Sequence, residues 1–236
     1  MLKTAYRKGI FTKIIMAASL VAACLLTTAP AYAVILPAGS AVVAPGEAEP
    51  DGASNLLLST GPVPFAAPGY TGTLTSSVYD GDATNPFGPT ALTFTYLLTN
   101  GPLSTHELHR MTVSSFQSFA TDVSYSTLSA GLPPTFIDRN PLGDVVGFSF
   151  PTPIPPVLVG PGALAPGLTS ALMIIQTNAT LFVFTTASVI NGSTTGVLSL
   201  APDVLVPEPS TLVLGTLGLI GTVAIAIRKR RRANAA

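Results

Sequence analysis

His106-Glu107-Leu108-His109 sets two imidazoles and a carboxylate within four residues, a side-chain set suited to a divalent metal or to proton transfer. In the helical zinc-protease motif the histidines stand four apart, with Glu directly after the first. Here they stand three apart, and on a strand they would face opposite sides. The tetrapeptide therefore reads as a structural or surface feature. Asp80-Gly81-Asp82-Ala83-Thr84-Asn85 places oxygen ligands at alternate positions, which suits calcium, with Asp80 and Asp82 as the candidate ligands. It lacks the sixth-position glycine and the distal Glu of an EF-hand loop, so a hairpin turn is the leading reading. No serine sits in a Gly-x-Ser-x-Gly elbow, and two histidines are all the bases of that kind. A carboxylate pair for glycoside hydrolysis would have to be drawn from acids that mostly lie beside Gly, Pro or Asn, where solvated turns are the default. Asn178-Ala179-Thr180 and Asn191-Gly192-Ser193 match glycosylation sequons and read as products of Thr-rich strands. The sequence thus assigns no catalytic residue, no cofactor and no firm metal site.

The elements that would carry these residues are short and β-like. Ala91–Thr99 alternates Leu92, Phe94, Tyr96 and Leu98 on one face with Thr93 and Thr95 on the other. Tyr70–Tyr79 alternates around Leu74 and Val78 and runs into the Asp80-Gly81-Asp82 turn. Further strands are predicted at Glu107–Phe116, Asp122–Leu128, Thr135–Asp138, Asp144–Phe150, Ser170–Gln176, Leu181–Thr185, Ala187–Ile190 and Gly196–Leu200. Turn chemistry separates them at Gly131-Leu132-Pro133-Pro134, Asn140-Pro141-Leu142-Gly143 and Asn191-Gly192, and Pro151–Pro166 reads as a long loop. No sustained helical period interrupts the series. The expected fold is mainly β, an antiparallel sandwich of jelly-roll-like or immunoglobulin-like type.

Charge placement gives the chain its organisation. Charged residues make up 9% of the 236, far below the roughly 25% of an average globular protein. Lys3, Arg7, Lys8 and Lys13 stand at the N-terminus and Arg228, Lys229, Arg230, Arg231 and Arg232 at the C-terminus. Only Arg110 and Arg139 lie between, against ten acids from Glu47 to Asp203, so residues 34–206 carry a formal charge of −8. A body of that sign is unsuited to nucleic acid.

Both ends are membrane-directed. The basic head, the apolar run Ile14–Leu26 and the small-residue site Ala31-Tyr32-Ala33 have the form of a secretory signal, predicting cleavage by signal peptidase before Val34. Val21-Ala22-Ala23-Cys24 resembles a loose lipobox, which would lipidate Cys24. The apolar run continues past it through Leu25-Leu26, and the ordinary cut is preferred, leaving a mature chain without cysteine. Thr211 to Ile227 is an uncharged stretch of seventeen residues, about 25 Å as a helix and just long enough to span a bilayer. The basic cluster after it would stop transfer and stay cytoplasmic, leaving the acidic body outside.

Pro207-Glu208-Pro209, an apolar span and an arginine-rich tail, in that order, resemble a PEP-CTERM sorting domain. The resemblance implies recognition by an exosortase, a membrane-embedded cysteine protease of Gram-negative bacteria with exopolysaccharide systems, cutting near Pro207–Pro209. Two prolines around one acid keep the motif extended and remove two backbone donors, so no helix can run through it. The competing reading is a plain C-terminal anchor that is never cut. Thr121–Tyr125, Val146–Phe150 and Thr177–Phe182 are also similar to strands of ectodomains found on PEP-CTERM proteins. The expected division is residues 1–33 signal peptide, 34–68 a Pro/Ala/Gly-rich lead-in with room for one edge strand, and 69–200 the β-sandwich ectodomain. A linker at 201–206, the sorting signal at 207–232 and a tail at 233–236 complete it. The expected role is structural or adhesive in the cell envelope or in an extracellular biofilm matrix, without catalysis. An exopolysaccharide-binding module is the alternative, with a secreted hydrolase third.

Overall fold

Alternating apolar and hydroxyl residues with frequent Gly and Pro dictate short strands, and strands are what form. The computed structural model describes residues 34–47, 54–150 and 162–203. The predicted signal helix with Cys24, Ala31 and Ala33, residues 151–161 of the Pro-rich loop, and the linker's residues 204–206 lie outside the described residues. So do Pro207-Glu208-Pro209, the apolar span 211–227 and Arg228–Arg232. Thirteen strands are present, and no helix occurs among the described residues.

One sheet runs in the order β1 (Val34–Ile35), β8 (Thr121–Ser126), β11 (Met173–Thr177), β6 (Thr93–Asn100), β5 (Tyr70–Asp80), β4 (Asn55–Ala67), and β3 (Gly46–Glu47) also pairs with β8. The other runs β13 (Ser193–Pro202), β12 (Phe182–Asn191), β7 (Arg110–Val113), β10 (Val146–Ser149), β9 (Phe136–Arg139), β2 (Ala41–Val43). Pairing is antiparallel throughout except for β3 on β8. The chain passes repeatedly between the sheets, so neighbours such as β6 and β11 come from distant sequence.

Both sheets contribute to one apolar core. Leu74, Val78, Phe94, Tyr96, Leu98, Val123 and Ile175 come from the first, and Met111, Val113, Ile137, Val146, Phe148, Val189 and Leu200 from the second. Polar side chains inside this core are placed so that they tie the sheets together. Tyr96 Oη donates to the Leu200 carbonyl (2.8 Å) and Ser76 Oγ accepts from the Leu200 amide (3.0 Å). Tyr70 Oη lies 3.0 Å from the carbonyls of both Val189 and Ser193. A buried hydroxyl without a partner would be costly, so these contacts restrict how the two sheets can be stacked.

Residues 34–68 contribute more than the single edge strand expected of them: β1, β2, β3 and the thirteen-residue β4. Pro62 and Pro64 obscured β4 in the sequence. They are tolerated because β4 is an edge strand, where a missing N–H deprives no neighbour, and the pairing with β5 slips between Ser59 and Pro62. The predicted strands Leu181–Thr185 and Ala187–Ile190 are one continuous β12, turned at Gly192 (φ +65°) into β13. β13 runs on to Pro202, into the stretch read as linker.

The cation Arg139 fastens one end of this arrangement. Its side chain is 7% exposed, and it donates to the carbonyls of Leu36 (3.1 Å), Phe116 (2.7 Å), Phe119 (2.8 Å) and Gly143 (2.8 Å from Nη2, 3.0 Å from Nε) and to Thr121 Oγ1 (2.9 Å). Burial lowers its pKa, yet an arginine stays charged across the physiological range. Gly143 sits at φ +70°, and a Cβ there would press on the guanidinium at 3.2 Å, so glycine meets both constraints. Arg139→Ala should cost about 3–5 kcal/mol, since it removes every one of these bonds and the Phe119 and Gly143 carbonyls lose their guanidinium donors. Arg139→Lys should recover only part of that, because an ammonium cannot reproduce the fork. Urea unfolding of the two variants beside the parent chain measures both.

Candidate functional site

The tetrapeptide singled out in the sequence lies on the rim of an open cleft. Leu108 is fully buried and exchanges backbone hydrogen bonds with Leu164 (2.9 and 3.0 Å), pinning the segment. Glu107 and His109, two apart, then project together, and His109 Nε2 lies 3.0 Å from Glu107 Oε1. His106 is in a bend, not a strand, its amide donating to the Gly69 carbonyl (3.0 Å). Its ring occupies the space where a side chain at residue 69 would stand, and Gly69 (φ +88°) leaves it free. The bend explains why both histidines line one cleft although a strand would have separated them. Thr105, Pro166, Asn191 and Gly192 complete a cavity of about 520 Å³, and the Asn191 side-chain amide donates to the Glu107 carbonyl. Among the described residues no three metal-ligating side chains converge. The cleft offers exposed hydrogen-bond donors and acceptors to a hydroxyl-rich ligand. Among the residues lining it, Thr105 is the one hydroxyl, and it donates to the Gly69 carbonyl (3.1 Å).

The calcium candidates separate. Asp80 lies at the end of β5, while Asp82 is fully buried in the following turn. Asp82 Oδ1 accepts from the amide (3.0 Å) and hydroxyl (2.7 Å) of Thr84, and Oδ2 from Thr93 Oγ1 (2.7 Å) and Gln176 Nε2 (3.1 Å). Burial pushes the carboxyl pKa up, but the bonds from Thr93, Thr84 and Gln176 outweigh it and hold the pKa below the usual range. Asn85 adds bonds to the Leu92 carbonyl, Thr93 Oγ1 and the Thr177 carbonyl. The turn therefore folds back over the outer face of β6 and β11. That is why Thr93, expected on a solvated face, is buried; Thr95 on the same face is buried as well. A second buried acid, Asp122 on β8, gave no signal as a site, although it is an acid inside an otherwise apolar and hydroxyl strand; burial pushes it up to about 6 against a lowering by the Val123 amide. Arg110 spans β10 to hold Asp138 with two bonds (2.5 and 2.8 Å), and takes Ser149 Oγ (2.7 Å) on the way. Gly147 makes the crossing possible, as a Cβ there would collide with the guanidinium.

The decisive comparison falls outside the described residues. Residues 205–232 match the family model of the PEP-CTERM protein-sorting motif. This chain carries a PEP-CTERM sorting motif. The match takes in Pro207-Glu208-Pro209, the apolar span and Arg228–Arg232. No curated protein and no solved structure matches the chain. The PEP-CTERM motif implies export, membrane anchoring and processing by an exosortase. No helix among the described residues is long and apolar enough to cross a membrane, and the span 211–227 lies beyond them.

The donors around Asp82 generate a prediction. Asp82→Ala should lower stability at pH 7 by about 2–4 kcal/mol, because buried donors lose a charged acceptor. A carboxylate with a lowered folded pKa stabilises above its unfolded value near 3.9 and loses that effect as pH falls, so the deficit should shrink in urea titrations below about pH 4. Adding millimolar calcium should leave the parent's unfolding midpoint in place, since four donors already occupy both oxygens.

Proposed function

We propose that this is a secreted, exosortase-sorted protein whose β body serves a structural or adhesive role in the cell envelope or extracellular matrix. The matched motif at residues 205–232 carries the reading. In it, signal peptidase cuts after Ala33, the apolar span 211–227 holds the chain in the inner membrane, and Arg228–Arg232 keep the tail in the cytoplasm. The exosortase then cuts near Pro207–Pro209 and passes the acidic body outward. Chemistry is done to this protein, and none is assigned to it. The body we take as an antiparallel β-sandwich; its two sheets around one core support that reading.

A second reading rests on the cleft beside His106, Glu107, His109 and Asn191, whose exposed donors and acceptors suit sugar hydroxyls of an exopolysaccharide. It lacks the aromatic platform on which sugars commonly stack, the chain having no Trp.

Replacing Pro207-Glu208-Pro209 by three alanines should leave the full-length form in the membrane of a host with an exosortase. Fractionation and immunoblotting check this; unchanged release of the processed body would sink the sorting claim. Retention of the released protein on immobilised exopolysaccharide, lost in Asn191→Ala, would favour the second reading.

A further inference from the structure

Across the first sheet, Ile35, Asp122, Gln176, Thr93 and Tyr79 stand side by side in register on β1, β8, β11, β6 and β5. Directly opposed residues project from the same face, so Asp122 and Gln176 are immediate neighbours there. Both are buried, 4% and 1% exposed. Gln176 spends its side-chain amide hydrogens on Asp82 Oδ2 (3.1 Å) and Thr84 Oγ1 (2.9 Å). Turning the amide over would set its oxygen against the ionised Asp82, so the orientation is fixed. Gln176 Oε1 is thereby left buried without a donor, and so is Asp122 Oδ1 on the neighbouring strand. Two buried acceptors side by side lack a hydrogen, and one proton satisfies both.

Burial of the carboxyl favours that proton. Asp82 reaches Gln176 from the β5–β6 turn. Glu47 on β3 accepts from the Ser124 hydroxyl, two residues along β8. β1 presents Ile35, which does not titrate. Arg139 reaches the adjacent Thr121 Oγ1, and its donors also go to Leu36, Phe116, Phe119 and Gly143. In the uncut chain, the described residues of these elements direct no cation at Asp122.

We propose that Asp122 is held as the neutral acid and donates its hydrogen to the Gln176 side-chain oxygen, a proton-dependent latch between β8 and β11. Burial places its titration at about 6, while Asp82 stays ionised beyond the amide. The folded form binds this proton more tightly than the unfolded chain, whose midpoint is near 3.9. Stabilisation is therefore complete below about pH 4 and is lost as pH rises through 6. Because β1 and β3 both pair with β8, losing the latch loosens the margin that carries them.

The test uses the full-length chain in detergent micelles. Carbon-13 NMR should show the Asp122 carboxyl titrating near pH 6, with the Gln176 side-chain carbonyl shifting at the same midpoint. Titration near pH 4, or a Gln176 signal that does not follow, overturns the proposal. Asp122→Asn supplies an N–H donor at every pH. The parent's thermal midpoint should fall between pH 4.5 and 7.5 relative to Asp122→Asn, whereas parallel curves would contradict the latch. If that variant does not fold, the titration of the parent chain still decides.

Discussion

A single guanidinium holds the two sheets in register at one end of this molecule. Arg139 leaves the end of β9 in one sheet and gathers Thr121 and Leu36 from the β8 margin of the other, along with the loop carbonyls of Phe116 and Phe119. Its acceptors are four neutral carbonyls and one hydroxyl, without an opposing carboxylate. Such a cation repays its desolvation through the number and fit of its hydrogen bonds, and the fork geometry of arginine makes that fit possible. The β9–β10 turn is shaped for it. Asn140 Oδ1 accepts from the amides of Asp144 and Val145, and this brings the Gly143 carbonyl onto the guanidinium.

The same economy of charge recurs elsewhere. A body with two arginines can form few ion pairs, and its few charged groups are used to tie separate elements together. Arg110 bridges β7 to β9 across a glycine, and Asp82 collects four donors that bind a turn to the outer face of a sheet. Thr93, Gln176 and Asn85 complete a polar layer where an ordinary two-sheet protein would present a wet face. The sheet thus lies between an apolar core on one side and a buried polar layer on the other, in which the Gln176 and Asp122 side-chain oxygens are acceptors left without a donor.

Much of this architecture could be read from the residues. The β6 alternation, the turn at Asn140–Gly143 and the Asn191–Gly192 hairpin each rest on local chemistry, and local chemistry is visible in a sequence. β4 was not, because Pro62 and Pro64 are permissible only on an edge, and edge position follows from topology. Thr93 looked solvated because nothing local says that the Asp82 turn will fold over it. Asp82 was singled out as a calcium candidate in an oxygen-rich turn, whereas its carboxylate is taken up by Thr93 on the next strand and by Gln176 far along the chain. Arg139 left a trace that went unused: an arginine isolated in a cation-poor body. The PEP-CTERM motif was fully legible, since its three parts are contiguous and need no fold to be recognised.

That motif gives the body a destination, and the sheets are what is delivered. We propose that this chain is cut at both ends and released as its β body. Intact-mass analysis of the protein recovered outside a host with an exosortase tests it most directly. The account predicts a product beginning at Val34, ending near Pro207–Pro209 and lacking Arg228–Arg232. Recovery of a chain that retains its arginine tail would contradict it.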